Sequence, residues 1–360
     1  MSRGTARAGD RGELAATPRA RRQVRVSSAA ALVGAVLTVL VLSGCAAGGP
    51  AGVGSLTATP QPVPPTRQSP LDSPTATPRP GQESERTSAS PAGRREQVEV
   101  GGRTLYLECH GASPPGQPTV ILESGLGGSG VRAWDKVVAG VSPSHRVCTY
   151  DRAGVGRSDP PPTVPRTAID LADDLAALLD AAVIPPPYLF VSHSLGPWVT
   201  TVFTADHPDA VMGLVLVDPR GPDVTEEWIA GLGVPTPGEP EVVTGFRSYA
   251  TSFRSDPSSN DEVLDIPKSE RQVRDALSSF PAFGATPLVV LRAAGTPDEW
   301  RELPPAEFDA WEAAWFDGHR ALAAASSTGR IIEVADSGHV IQQDAPQIIV
   351  DIVLRFAGGG

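Results

Sequence analysis

The sequence predicts an α/β fold in which helices cover both faces of a mostly parallel sheet. From about residue 95 onward, short apolar runs rich in β-branched residues recur, and each ends in a polar or glycine-bearing turn. Amphipathic helical patterns separate several of these runs, and the clearest spans Thr167 to Ala182. Strands that alternate with helices favour parallel pairing, and ligands then bind beyond the carboxyl ends of the strands.

Eight runs have the character of strands. Gly101–Gly102 joins the first two, which is a hairpin signal between alternating segments. In chain order the runs read EQVEV, RTLYLECHG, PTVILESG, HRVCTYDR, PYLFVSHS, MGLVLVDP, TPLVVLRA and GRIIEVAD. Together they indicate one folded domain over residues 95–360.

Residues 1–44 have the pattern of a lipoprotein signal peptide. An arginine-rich start precedes fourteen apolar residues, Ala29–Leu42, which would form a helix of about 21 Å, too short for the ~30 Å hydrocarbon core of a membrane. The exit "LSGC" is similar to the bacterial lipobox, in which the cysteine is lipidated. We therefore expect an exported lipoprotein anchored through Cys45 at the extracytoplasmic side of the bacterial cell membrane. A signal anchor is the alternative, and the export route, Sec or twin-arginine, stays open.

Residues 45–94 are dominated by Pro, Ser, Thr and Gly, which predicts a disordered spacer between anchor and domain. The net charge of -11 disfavours nucleic acid as a partner, since phosphates would be repelled. No paired histidines or cysteines have the spacing of metal ligands, so we predict neither a metal nor another cofactor.

The segment "VSHSLGPWV", Val191–Val199, has the form of a turn that exposes a nucleophilic serine between a strand and a helix. The usual pattern is G-x-S-x-G, and here Ser192 replaces the first glycine whereas Gly196 keeps the second. Because this position must be small, we interpret serine as a tolerated substitution. Ser194 is therefore the predicted nucleophile, next to a helix N-terminus that favours developing negative charge.

A serine hydroxyl needs a base, and the base needs an acid. Of six histidines, His339 stands in the loop after the last strand, whereas His193 is interpreted as packing and His145 and His319 as surface residues. Asp298 follows the seventh strand and gives the order Ser…acid…His. Asp218, at the end of the sixth strand, is the competitor, and Asp298 is favoured over it.

Two backbone N–H groups are predicted to form an oxyanion hole. One belongs to Leu195, which follows the nucleophile, and the other to Leu126 in the loop "SGLGGSG" after the third strand. A glycine-rich turn without function is the alternative for this loop. Phosphate binding is disfavoured because the G-x-x-x-x-G-K-[ST] order is absent.

These motifs, "LESGLGG", "TYDRAGVGRSDP", "SHSLG" and "DSGH", together resemble the α/β-hydrolase superfamily, particularly its secreted serine esterase-like members. The resemblance covers Glu96 to about Phe356. It implies an eight-stranded, mostly parallel sheet with flanking helices and a Ser-Asp-His site formed by Ser194, Asp298 and His339. Relatives with an aspartate nucleophile open epoxides or remove halides, and the serine here disfavours those reactions.

The resemblance carries two further expectations. Residues of about 220–281 would form a small cap insertion over the site, with "SERQVRDALSS" as its best helix. In the implied strand order, Cys109 and Cys148 are cross-strand neighbours, and we expect a disulfide because an exported protein meets an oxidising environment.

The predicted function is hydrolysis of a carboxylic ester through an acyl-enzyme, with a small-molecule or lipid-like acyl substrate. The same site would also suit an amidase, a thioesterase or an acyltransferase. A binding lipoprotein that has lost its chemistry is the non-enzymatic alternative, and the altered turn at Ser192 is its support.

Overall fold

The structure is a computed structural model that describes residues 93–112, 114–128, 130–278, 281–295 and 301–358. Three predicted features lie outside the described residues: the signal peptide with Cys45, the spacer up to residue 92, and Asp298. Among the helices that are described, none has the length and apolar content needed to cross a bilayer.

The described residues form one eight-stranded sheet, and each of the eight predicted runs contributes one strand. The strands are β1 (Arg94–Val100), β2 (Arg103–His110), β3 (Thr119–Glu123), β4 (Val147–Tyr150), β5 (Tyr188–His193), β6 (Val211–Val217), β7 (Leu288–Ala293) and β8 (Arg330–Val334). Their order in the sheet is β1-β2-β4-β3-β5-β6-β7-β8. Within this sheet β2 is antiparallel to β1 and to β4, and every other described pair is parallel, so the expected mostly parallel architecture is confirmed.

Helices cover both faces of the sheet. In chain order they are α1 (Gly130–Ala133), α2 (Asp135–Val141), α3 (Ala168–Ala181), α4 (Gly196–Asp206), α5 (Val224–Gly231), α6 (Glu241–Ser255), α7 (Ile266–Ala276), α8 (Pro305–Ala323), α9 (Ile341–Asp344) and α10 (Pro346–Ala357). The predicted helix Thr167–Ala182 corresponds to α3. Thr167 is its N-cap, and the Thr167 and Asp170 side chains cap each other's backbone N–H groups.

The apolar core has two layers because parallel strands are buried on both faces. On one face, Leu175 of α3 and Trp198 of α4 pack against the sheet, and both are fully buried. On the other face, Trp134 and Val350 belong to the layer formed with α2 and α10. A third, smaller cluster joins α5, α6 and α8 away from the sheet.

The insertion between β6 and β7 contains three helices, α5, α6 and α7, where the sequence analysis identified one. The predicted segment corresponds to α7, which begins earlier, at Ile266, because the Asp265 side chain accepts a hydrogen bond from the Lys268 N–H at its first turn. Helix α8, which follows β7, packs against α5. Helix α8 therefore packs against the insertion although it lies outside the insertion in the sequence, which the sequence alone did not predict.

Cys109 of β2 lies directly opposite Cys148 of β4 in the antiparallel register. Their sulfurs are bonded, with 4.0 Å between the Cα atoms. The disulfide joins the one antiparallel strand to the parallel part of the described sheet.

Candidate active site

Ser194 lies at the sharp turn between β5 and α4, at the carboxyl end of the sheet. Its φ of 55° is in the left-handed region, which residues other than glycine rarely adopt. The Ser194 N–H donates to the Val217 carbonyl at 3.1 Å, and its carbonyl accepts from the Arg220 N–H at 2.7 Å. These bonds to the end of β6 and to the segment after it hold the strained turn in place.

The two glycine positions of this turn have different steric requirements. A Cβ on Gly196 would lie 2.8 Å from the Ser124 carbonyl oxygen, so glycine is required where α4 meets the end of β3. Ser192 is fully buried, and its hydroxyl lies 3.1 Å from the Thr200 hydroxyl on α4. The space at the first position therefore accommodates a serine and gives its hydroxyl a partner.

His339, in the loop between β8 and α9, contacts Ser194 on one side and Asp218 on the other. Its Nε2 is 3.1 Å from the Ser194 Oγ, and its Nδ1 is 2.7 Å from Oδ2 of Asp218. A carboxylate only accepts, so Nδ1 carries the proton and the unprotonated Nε2 accepts from the serine hydroxyl. The imidazole is thus oriented to receive the Ser194 proton.

Asp218 follows β6 directly and is buried. Burial raises the pKa of Asp218, but the hydrogen bond and charge of His339, together with the Ala293 N–H at 3.0 Å, outweigh it and hold the pKa below its usual value. The side chain therefore stays an anion next to the imidazole.

This arrangement differs from the predicted one in the position of the acid. Asp298 lies outside the described residues, and the place expected for it, beside Nδ1 of His339, is held by Asp218. Strand β6 lies between β5 and β7 in the sheet, so its carboxyl end is adjacent to Ser194. The strand order around Ser194 therefore brings Asp218 next to the serine and His339.

The interpretation of two other histidines was wrong. His145 and His319 were expected at the surface, yet both are buried, and Nε2 of His319 lies 3.7 Å from Asp218. His193, interpreted as packing, is buried, and its Nε2 donates to the His339 carbonyl at 2.9 Å. Burial lowers the pKa of His193 to about 3 and that of His319 to about 4, so both remain neutral near pH 7.

The loop after β3 lies beside Ser194. A Cβ on Gly125 would lie 3.0 Å from the Ser194 Cβ, which places the next residue, Leu126, beside the turn. Within the residues that the structure describes, the N–H groups of Leu126 and Leu195 donate to no protein acceptor. Both predicted donors thus remain available to a substrate oxygen.

A cavity of about 190 Å³ opens over Ser194 and His339. Trp228 of α5, with Trp311 and Trp315 of α8, forms aromatic walls, and the Trp315 ring centroid is 5.6 Å from that of His339. The Arg220 guanidinium, also at the cavity, lies 4.7 Å from the Trp228 ring. The cavity therefore places aromatic side chains and an arginine beside Ser194 and His339.

Comparison with known proteins identifies the family. The profile of the alpha/beta hydrolase fold matches residues 118–312, which is more than half of the chain. The chain therefore belongs to the α/β-hydrolase family, and it is an enzyme of the hydrolase class.

Individual relatives agree with this membership. An AB hydrolase superfamily protein of Gibberella zeae is 27% identical over 293 residues, which cover 70% of this chain and 90% of that protein. The putative carbamate hydrolase RutD of Yersinia enterocolitica is 39% identical over 114 residues, 32% of this chain and 40% of RutD. Another curated match extends over only 18% of the relative's length.

Among solved structures, Cfl2 from Burkholderia cenocepacia matches with a TM-score of 0.50 and 22% identity, covering 74% of this chain and 95% of Cfl2. At that level of identity, the similarity shows the shared fold.

Proposed function

We propose that this protein hydrolyses a carboxylic ester through an acyl-enzyme on Ser194. The single observation that carries the proposal is the continuous contact from Ser194 Oγ through His339 to Asp218, at 3.1 and 2.7 Å. Ser194 is the nucleophile, His339 the general base, and Asp218, in place of Asp298, the acid that fixes the tautomer of His339.

In the first half-reaction, Ser194 Oγ attacks the acyl carbon while Nε2 of His339 takes the hydroxyl proton. The carbonyl oxygen becomes an oxyanion, which the N–H groups of Leu195 and Leu126 stabilise. When the tetrahedral intermediate collapses, the ester C–O bond breaks and His339 returns the proton to the leaving alcohol. The acyl group remains on Ser194.

In the second half-reaction, water replaces the alcohol. His339 removes a proton from the water as its oxygen attacks the acyl carbon, and the returning proton restores the Ser194 hydroxyl as the acid leaves. The cavity of about 190 Å³ favours a compact acyl or alcohol group over a fully enclosed long chain. We therefore propose short esters as the first substrates to test.

The nucleophile is tested by fluorophosphonate labelling and by hydrolysis of p-nitrophenyl butyrate. We expect the wild type to be labelled and Ser194→Ala to lose labelling and at least about a thousandfold in kcat. Ser192→Ala is the matched control, since it alters a buried serine two residues away and should keep both properties. Hydrolysis that persists in Ser194→Ala would contradict the proposal.

A second candidate keeps the site and changes the bond that is cleaved. The relative RutD is named a putative carbamate hydrolase, and the described geometry would also act on an amide, a carbamate or a thioester. Acyl transfer to another alcohol differs only in the acceptor. Product analysis with competing alcohols distinguishes transfer from hydrolysis, and a panel of matched ester, amide and carbamate substrates identifies the bond.

We also propose that the enzyme is an exported lipoprotein anchored to the bacterial cell membrane through Cys45. The arginine-rich start, short apolar segment and "LSGC" exit support this proposal. We expect the full chain to take up a radiolabelled fatty acid and to sediment with membranes, and Cys45→Ser to do neither. Label retained in Cys45→Ser would contradict lipidation at this residue.

A further inference from the structure

The loop after β3 contacts three buried charged side chains that the proposed reaction does not use. Arg152 lies between Glu123, the last residue of β3, and Glu262 of the insertion, and the three are 4%, 0% and 6% exposed. Nε of Arg152 donates to Oε2 of Glu262 at 2.7 Å, and its Nη1 donates to the Glu123 carboxylate. Charges this deeply buried persist only when they are paired and hydrogen-bonded.

This cluster also binds the loop backbone on both sides of Leu126. Arg152 donates from Nη1 to the Ser124 carbonyl and from Nη2 to the Gly125 carbonyl, each at 2.7 Å. Beyond Leu126, the Gly127 N–H donates to Oε1 of Glu262 at 2.8 Å. The flanking backbone groups are therefore fixed, whereas the Leu126 N–H between them has no acceptor among the described residues.

The segment that carries Glu262 is itself fixed. Val263 has a φ of 51°, which a β-branched residue adopts only when its surroundings impose it. Its carbonyl accepts from the Arg166 N–H at 3.0 Å. The Leu264 N–H donates to Oδ1 of Asn260 at 2.9 Å. Glu262 thus reaches the loop from a rigid part of the insertion.

We propose that Arg152 and Glu262 are positioning residues that hold the Leu126 N–H in the direction required by the oxyanion. Through Glu262, the insertion then contributes to the chemical step as well as to the substrate cavity. The inference rests on the proposed function, because it assigns a role within the same site. An oxyanion donor is effective only within about 2.7–3.1 Å of the developing charge, so small displacements of the loop matter.

The chemistry of the cluster explains why charged residues occupy this place. An apolar group of similar volume could fill the space, but it could not bond two carbonyls and one N–H of the same loop. Arg152 supplies donors in a planar fork that bonds both carboxylate oxygens of Glu262, and Oε1 of Glu262 also accepts from the Gly127 N–H. The loop needs hydrogen-bond donors for the carbonyls before Leu126 and an acceptor for the N–H after it, and the ion pair supplies both.

The test compares Glu262→Gln with the wild type in the full chain. Glutamine keeps the shape of glutamate but has one acceptor oxygen, so it cannot accept from Gly127 and from Nε of Arg152 as the carboxylate does. We expect kcat for p-nitrophenyl butyrate to fall about 10- to 100-fold with KM nearly unchanged. The affinity for an aliphatic trifluoromethyl ketone, whose adduct with Ser194 carries an oxyanion, should fall by a similar factor.

Glu307→Gln is the matched control, because Glu307 accepts from Nη2 of Arg247 at 2.6 Å in another buried ion pair beside the insertion. Rates are expressed per active site, titrated to completion with a fluorophosphonate. We expect the kcat of Glu307→Gln and its affinity for the trifluoromethyl ketone to stay within about threefold of the wild type. An equal loss in the two variants, or no loss in Glu262→Gln, would overturn the positioning role.

Glu262→Asp is measured alongside, since it keeps the charge and shortens the reach by one methylene. Glu262→Asp should also lower kcat and weaken ketone binding while KM stays nearly unchanged. This variant keeps the test available where Glu262→Gln does not fold. Wild-type kcat and ketone binding in Glu262→Asp would count against the inference. A wild type that is neither labelled at Ser194 nor active on esters would overturn the proposed function and this inference together. An active wild type with unaltered Glu262 variants would overturn the inference alone.

Discussion

The two sides of Ser194 are built from different parts of the chain. On one side, His339 and Asp218 follow β8 and β6, so the sheet and its own connections supply the whole contact. On the other side, the loop after β3 is bonded to Arg152 and to Glu262, and the latter belongs to the insertion. In the proposed reaction, proton transfer therefore depends on the sheet, whereas the geometry of the oxyanion loop depends also on the insertion.

The two sides also differ in their electrostatics. In the proposed reaction, Asp218 is paired with an imidazole that gains and loses a proton, so this side changes charge at each step. In the Arg152 cluster, burial lowers the pKa of the guanidinium, but the charges of Glu262 and Glu123 outweigh it and raise the pKa well above its usual value. The Arg152 guanidinium therefore keeps its positive charge. Substitutions of Asp218 or His339 should therefore impair proton transfer, whereas substitutions of Arg152 or Glu262 should displace the loop after β3.

The largest effect is expected on the proton-transfer side. Asp218→Asn removes the charge and presents an amide to Nδ1 of His339, so we expect kcat to fall about 10³- to 10⁴-fold in p-nitrophenyl butyrate assays. Asp298→Asn is the matched control and should stay within about threefold of the wild type. A large loss of kcat in Asp298→Asn, with kcat near the wild-type value in Asp218→Asn, would instead identify Asp298 as the acid.

A smaller effect is expected from His193, which contacts His339 through its backbone carbonyl. Its pKa of about 3 in the folded protein lies below the ordinary value of 6.5, so between these pH values the unfolded chain binds the additional proton. The folded state is therefore disfavoured as pH falls through this window. Between pH 7 and pH 5, the free energy of unfolding should drop by ~2 kcal/mol through this group alone.

His193→Gln tests this effect because glutamine keeps an N–H donor for the His339 carbonyl but does not titrate. Thermal unfolding followed between pH 7 and pH 5 should show a Tm decrease several degrees smaller than in the wild type. Its kcat at pH 7 should stay within about threefold, which separates stability from chemistry. An unchanged pH dependence of the Tm would show that His193 is not protonated on unfolding in this range.

The sheet and much of the site could be predicted from the sequence because strand ends in a parallel sheet share one edge. Apolar runs identified all eight described strands, and the turn at Ser194 and the loop at His339 follow from them. The acid was harder because Asp218 and Asp298 both follow neighbouring strands. Sequence spacing cannot distinguish them, whereas the left-handed turn at Asp218, with a φ of 40°, aims its carboxylate at His339.

The oxyanion side contains what sequence reasoning missed. Arg152 stands within "TYDRAGVGRSDP", a motif that carries the family resemblance, and nothing in its spacing indicates which backbone groups it bonds. Glu262 lies 110 residues further along, in a part of the insertion before its one predicted helix. Contacts between a motif and a distant insertion depend on how the insertion folds back, which local periodicity does not encode.

The left-handed backbone at Ser194 and Asp218 has a consequence for engineering. Glycine would relieve the strain at either position, yet each replacement removes a group that the proposed reaction needs. Directed evolution that rewards heat resistance alone would therefore drift toward an inert protein. Thermostable variants that still turn over substrate have to come from positions far from these two turns.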